Sequence, residues 1–258
     1  MSTDILGKDL RDRRMPVLWL GAVLIVLTVF ALAIGSTLAS TIADLTDSFP
    51  AALNAFIGAD VPGGYVVGEV FNLIAPLALV GYAVAGGARA TAGEEEEGTM
   101  AVLVAQPVTR AHILASKLGG LLLALTAATV LFWASAAASD ALFGIGLTQS
   151  AIVAACLHLL MLAFAFGALA LAVGAITGRP SVAAAVAGSV AALSYITNAM
   201  LPLADLDGWA RLSPWHYYAG GEPLVNGLDP GYLLVLTALT AISLVVAFLA
   251  FEHRDLKG

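Results

Sequence analysis

The sequence has few charged residues and a single cysteine. Charged residues make up 11% of its 258 residues, whereas hydrophobic residues make up 60%, and the mean hydropathy is +0.94. Because a water-soluble domain contains about 25% charged residues, we expect this chain in a lipid bilayer. Cys156 has no partner cysteine in the chain, so we expect no intrachain disulfide and infer no redox compartment.

Sequence motifs that are typical of enzymes are also missing. No Gly-x-x-x-x-Gly-Lys-[Ser/Thr] loop occurs, so the chain is not expected to hydrolyse ATP by itself. The sequence contains no Gly-x-Ser-x-Gly nucleophile motif, and its four histidines lie on different segments without the spacing of metal ligands. We therefore expect no catalytic residue, no metal site and no cofactor in this chain.

Long charge-free runs dominate the sequence. Crossing a bilayer takes about 20 helical residues, and strands of a membrane barrel would be about 10 residues long with strict alternation, which is not seen. Six runs are long enough for a helix, at residues 15–43, 70–88, 118–139, 141–178, 180–204 and 230–251. The sequence therefore predicts an all-α integral membrane protein with six transmembrane helices, in a single domain over residues 1–258.

The positive charges predict how these helices are oriented. If the N-terminus is cytoplasmic, ten of the eleven Lys and Arg residues lie inside and only Arg211 lies outside, while the carboxylates divide nine to nine. Cytoplasmic loops carry an excess of Lys and Arg, so we expect both termini in the cytoplasm.

Residues 1–15 mix basic and apolar side chains. They are expected to form a short amphipathic helix at the membrane interface, or otherwise a frayed charged terminus that only sets orientation. The apolar stretch that follows, residues 17–38, exceeds the length typical of a cleaved signal peptide, so we expect it to be retained.

The loop at residues 89–117 concentrates charge between the second and third predicted spans. Its successive carboxylates cannot enter hydrocarbon, so we expect them to project into water. They are Glu94, Glu95, Glu96 and Glu97.

A short helix is predicted directly after these acids. Gly98 would break the acidic run and Thr99 would cap a helix that Pro107 ends, with Met100, Leu103 and Val104 on one apolar face. A helix of about two turns is marginal alone, so we expect it to pack on a partner. The alternative is a solvated connecting loop.

These residues resemble a known family. Residues 87–100 read Gly-Ala-Arg-Ala-Thr-Ala-Gly-Glu-Glu-Glu-Glu-Gly-Thr-Met, followed by Gln-Pro-Val-Thr-Arg and Ser-Lys-Leu. The pattern resembles the signature of permease subunits of the type-two ABC transporter family, Glu-x-x-x-Gly-Thr-Leu…Pro-Val-Ser-Arg…Gly-Lys. Residues 64–76, 212–229 and 251–256 are also similar to that family. Met100, Ser116 and His253 depart from the usual residues.

The resemblance implies a membrane-spanning permease subunit of an ATP-driven exporter, which forms the translocation path. It implies two separate ATP-binding subunits that hold ATP and Mg²⁺, a second permease subunit in a homodimer, contact with membrane lipid, no contact with nucleic acid, and a place in the plasma (inner) membrane of a prokaryote.

By the same resemblance, the loop at residues 89–117 contains a coupling helix that contacts the ATP-binding subunit. The four glutamates would make charge contacts, and Gly98 and Thr99 would form the turn and cap. Met100, Leu103 and Val104 would insert into the partner, and Arg110 would brace the loop.

Further polar and aromatic residues are candidates for a substrate path or an outer gate. Glu69, near the outer end of the second helix, either contacts cargo or reaches water. His158 either contacts substrate or bonds a neighbouring carbonyl. The outer loop at residues 202–231 contains Trp215, Tyr217 and Tyr218, as an interface belt or an outer lid.

Two other functions are compatible with parts of the sequence. A membrane scaffold or sensor could use the acidic loop to recruit a cytoplasmic partner without ATP. A secondary transporter would need ionisable residues near the middle of the membrane, for which the sequence offers only His158 and Glu69. The sequence does not indicate the cargo.

Overall fold

The computed structural model describes residues 2–46, 48–50, 53–54, 64–100, 108–204 and 206–254. Within these residues every regular element is a helix, and six helices are long and apolar enough to cross a membrane. They are α1 (Ser2–Thr46), α2 (Gly64–Arg89), α3 (Arg110–Phe143), α4 (Gln149–Thr177), α5 (Pro180–Met200) and α6 (Pro230–His253). The prediction of an all-α protein with six membrane-spanning helices is confirmed.

The helix ends follow from local sequence. The Thr109 hydroxyl accepts a hydrogen bond from the His112 N–H at 3.2 Å at the start of α3, and Thr148 does the same for Ala151 at the start of α4. Each side chain satisfies an N–H that has no partner within the helix. Gly178 ends α4 in the left-handed conformation and Pro180 opens α5, so a tight turn joins the two helices.

Residues 2–15 are helical, as expected, but they continue into α1 without a break and form no separate interfacial helix. Pro16 lies inside this helix, which continues past it. The first turns pack on α3: Ile5 contacts Ile113, and further along a Cβ on Gly21 would collide with Leu131. Since residues further along α1 contact residues further along α3, the two helices run parallel.

Helix α4 lies at the centre of the bundle, where it contacts α2, α3, α5 and α6. Its approach to α2 is close because both helices place glycine at the crossing. A Cβ on Gly87 would lie 2.1 Å from the Gly167 carbonyl oxygen, and one on Gly167 would lie 3.1 Å from the Ala83 carbonyl oxygen. In lipid, where the hydrophobic effect does not drive helices together, such backbone proximity provides much of the packing energy.

Replacing Gly87 with alanine is expected to destabilise the protein by about 1–3 kcal/mol, because the added methyl group must displace backbone. Gly81→Ala is the matched control, since Gly81 lies on the same helix with nothing within 4 Å of the added atom. Thermal unfolding of the purified protein in detergent measures both variants. Equal melting temperatures for the two variants would contradict the close α2–α4 crossing.

Candidate functional site

A short helix at residues Ala92–Glu96, here called the junction helix, follows α2 directly and contains three of the four consecutive glutamates. Ala92 and Gly93 are buried, and the junction helix contacts α4 and α5. Gly98 turns the chain away with a φ of 70°, a backbone conformation that glycine adopts without strain. The buried start of the helix therefore fixes which way the glutamates point.

Glu94 turns inward. The Lys117 ammonium group of α3 donates a hydrogen bond to Glu94 Oε1 at 2.5 Å, and the Thr99 hydroxyl donates to the other carboxylate oxygen. Burial alone would raise the pKa of Glu94, but the hydrogen bonds from Lys117 and Thr99 and the charges of Lys117 and Lys8 hold this pKa below its ordinary value. Glu94 is therefore ionised at neutral pH.

Glu95 also turns inward, on the other side of the junction helix. Its carboxylate accepts a hydrogen bond from the Arg254 guanidinium group, and its side chain is only 3% exposed. Arg254 directly follows α6 and also donates to the Gly174 carbonyl oxygen of α4 at 3.4 Å. The ion pair thus attaches the junction helix to the end of α6.

Glu96 and Glu97 are exposed. Glu97 lies 3.2 Å from Arg89, but both side chains are more than half exposed, so this pair contributes little stability. The expectation that all four glutamates project into water is wrong for Glu94 and Glu95. Their burial is possible because two cations from neighbouring helices lie at the same level and compensate for the lost hydration.

Arg110 contacts the end of α6. Its Nη1 donates to the carbonyl oxygens of Phe251, Glu252 and Arg254 at 3.2, 3.3 and 2.8 Å. These carbonyls lie at the C-terminal end of α6, where they lack partners within the helix and carry partial negative charge. Arg110 therefore holds the end of α6 against the start of α3. Residues 101–107 of the loop lie outside the described residues, so the expectation that Arg110 braces the loop stays a prediction.

Met100 is 1% exposed and packs in a cluster with Leu114, Leu171 and Phe251. The expectation that its side chain is free to insert into a partner is therefore wrong for this conformation. The hydroxyl of Thr99 bonds Glu94. Leu103 and Val104 lie outside the described residues, as does nearly all of the helix expected after Thr99.

At the opposite end of the bundle, the segment before α6 folds back into the protein. The Ser194 and Ser213 hydroxyls lie 2.7 Å apart, and the Trp215 N–H is 3.1 Å from each hydroxyl oxygen. The Trp215 ring is buried and packs edge-on against Tyr195, with ring centroids 5.1 Å apart. Trp215 therefore belongs to the bundle core and does not form an interface belt.

Tyr218 connects the segment before α6 to α2 by a hydrogen bond. Its buried hydroxyl donates a hydrogen bond to the Phe71 carbonyl oxygen, within a π-helical turn at Val70–Ile74. Such a turn widens the helix and changes its hydrogen-bonding pattern, here just before Pro76, which has no N–H to donate. Tyr217 is half-buried and donates to the Arg211 carbonyl oxygen at 2.8 Å.

Glu69 and His158 make local bonds. Glu69 is partly exposed and its side chain interacts with that of Tyr65, one helical turn away. His158 is buried, and its Nδ1 lies 2.9 Å from the carbonyl oxygen of Ala154 on the same helix. Of the two alternatives for His158, a contact with substrate or a bond to a neighbouring carbonyl, the structure shows the bond to a carbonyl.

Several site residues were not singled out from the sequence as contacts of the acids. Asp9, Lys117 and Arg254 belong to the ion pairs of this end, and Ser194 and Ser213 to the opposite end. The sequence did indicate that Asp9, Lys117 and Arg254 lie near the glutamates, because the distribution of Lys and Arg places all of them on the same side of the membrane. Nothing in the sequence spacing pairs them individually.

Comparison with known families shows what the chain is. Residues 3–256 match the family described as ABC-2 family transporter protein. The chain belongs to this family. The comparison with curated proteins found no match.

Family membership has direct consequences. The chain is a multi-pass membrane permease of an ABC transporter, and such permeases are transport components that are generally not catalytic themselves. The family implies that the permease works with an ATP-binding subunit. The resemblance seen in the sequence is therefore confirmed at the level of the family.

Replacing Glu95 with glutamine is expected to destabilise the permease by about 3–5 kcal/mol, because it leaves a mostly buried guanidinium group without its counter-ion. Glu96→Gln is the matched control, since Glu96 is the adjacent residue but is exposed. The melting temperature of each purified variant measures the effect. A Glu95→Gln variant as stable as Glu96→Gln would show that the pair with Arg254 does not hold the junction helix.

Proposed function

We propose that this permease forms the translocation path of an ATP-driven exporter and that separate ATP-binding subunits dock on the exposed face of the junction helix. The supporting observation is that the last residue of the helix and the residue directly after it, Glu96 and Glu97, are exposed carboxylates, while ion pairs attach the other face of the helix to the bundle. A force applied at the exposed acids would therefore reach long helices directly.

The ion pairs specify which helices would move. Glu94 connects the junction helix to α3 through Lys117, and Glu95 connects it to the end of α6 through Arg254. Covalent continuity joins it to α2. Displacement of the junction helix would change the arrangement of these helices and open the path from one side of the membrane to the other.

ATP would act through differential binding. A partner that bound both arrangements of the helices equally would shift nothing, however tightly it bound. The ATP-binding subunits, holding ATP and Mg²⁺, would have to contact the junction helix more favourably in one arrangement. In the proposed assembly two such subunits serve a homodimer of permeases, with both termini of each permease in the cytoplasm of a prokaryote and the bundle in the inner membrane.

Reversing the exposed charges with Glu96→Lys and Glu97→Lys is expected to abolish ATP-driven transport, because the docking face would carry the wrong sign. The permease is co-expressed with its ATP-binding subunit, and co-purification and ATP turnover are measured. Glu222→Lys is the control, since Glu222 is exposed near the start of α6, at the opposite end of the bundle.

The reversed variant should insert into the membrane normally, because both acids are exposed and contribute little to folding. Full co-purification and full ATP turnover in that variant would refute docking at this face. If the unaltered permease recruits a cytoplasmic partner whose action needs no ATP, the scaffold or sensor function replaces the exporter.

Membrane sidedness provides a second test. In a Cys156→Ala background, Glu96→Cys is expected to react with a membrane-impermeant maleimide only after the cytoplasmic side is made accessible, whereas Glu222→Cys should react in intact cells. Both positions are exposed, so reactivity reports sidedness and not burial. Labelling of Glu96→Cys in intact cells would refute a cytoplasmic docking face.

A further inference from the structure

Lys117 contacts two carboxylates from different parts of the chain. Its Nζ lies 2.5 Å from Glu94 Oε1 of the junction helix and 3.4 Å from Asp9 Oδ1 of α1. The other oxygen of Asp9 accepts a hydrogen bond from Arg13 Nε at 2.6 Å. We call these four residues, Asp9, Arg13, Glu94 and Lys117, the Lys117 cluster.

The Lys117 cluster is buried and balanced in charge. Its side chains are between 7% and 14% exposed, and two carboxylates face two cations. Removing Lys117 alone would leave the Glu94 carboxylate buried without its closest partner, which is strongly unfavourable, whereas removing Lys117 and Glu94 together leaves the Arg13–Asp9 pair intact. This difference allows stability to be separated experimentally from the connection between helices.

Glycines make room for the cluster. A Cβ on Gly120 would lie 2.0 Å from Asp9 Oδ2, and a Cβ on Gly86 would lie 2.8 Å from Arg13 Nη1. Neither charged group could occupy its observed position beside a larger residue. The neighbouring Gly119 shows that this is specific to the position, because its nearest neighbour would be Leu6 Cδ1 at an ordinary 3.7 Å.

We propose that Lys117 is a positioning residue that links the N-terminal part of α1 to the junction helix, so that the two move together. Among the ion pairs of the described residues, Lys117 is the cation that joins Asp9 to Glu94. The role in transport rests on the proposed function, in which the junction helix receives the force. Under this proposal α1 responds to the ATP-binding subunits through Lys117.

The link is tested on the full chain in lipid nanodiscs, without any partner subunit. Spin labels are attached at Arg11→Cys on α1 and Glu96→Cys on the junction helix, both exposed positions, in a Cys156→Ala background. The distance distribution between the labels is measured by pulsed electron paramagnetic resonance. The parent is expected to show one narrow peak, and Lys117→Met is expected to lose it.

Arg14→Met is the control, because Arg14 is an exposed cation of the same helix and takes part in none of the ion pairs of the described residues. It should keep the narrow peak. The double variant Glu94→Gln/Lys117→Met separates the two roles: its melting temperature should recover relative to Lys117→Met because both partners of one buried pair are removed and the Arg13–Asp9 pair stays intact, but its distance distribution should stay broad. A narrow peak in either Lys117→Met variant would overturn the proposal.

Gly120→Ala provides an independent test that keeps all four charges. The added methyl group must displace the Asp9 carboxylate, so the peak should broaden, whereas Gly119→Ala should leave it narrow. Equal distributions for these two variants would also overturn the link. The proposed function is tested by a different measurement: it fails if the unaltered permease neither binds an ATP-binding subunit nor supports ATP turnover.

Discussion

The neutralisation of two buried glutamates by cations from other helices is the interaction on which one end of this permease depends. An ionised carboxylate out of water is stable only with a partner and hydrogen bonds. Glu94 therefore requires Lys117, and Glu95 requires Arg254. Each requirement brings a separate helix end to the level of the junction helix. Arg110 adds a third constraint by binding the last carbonyls of α6.

The opposite end is held by neutral groups. Ser194, Ser213 and the Trp215 N–H bond one another, and Tyr218 bonds the carbonyl of Phe71 in the π-helical turn of α2. The two ends are therefore held by different interactions: ion pairs attach the junction helix to α3 and α6, and neutral hydrogen bonds attach the segment before α6 to α5 and α2.

Much of the architecture was predictable from the sequence because it depends on local signals. Run length predicted six spans, and residues that favour helix ends lie where the structure ends its helices: Thr109 caps α3, Gly178 ends α4 and Pro180 opens α5. The inward direction of Glu94 and Glu95 was not predictable, because it depends on cations 23 and 159 residues away in the chain. The continuity of α1 was missed for a similar reason: the packing of Ile5 on Ile113 holds its first turns, and local amphipathicity does not show this.

The junction helix is too short to be stable alone, since a helix of about one turn has a nucleation cost that its own hydrogen bonds do not offset. Its orientation must therefore come from its contacts. Successive helical residues are about 100° apart around the axis, so two consecutive inward acids force the following residues outward. The direction of the exposed Glu96 is in this way determined by the ion pairs of Glu94 and Glu95. The exposed carboxylate of Glu96 and the ion pairs that attach the junction helix to the bundle thus lie on one turn of helix, so a movement of either displaces the other.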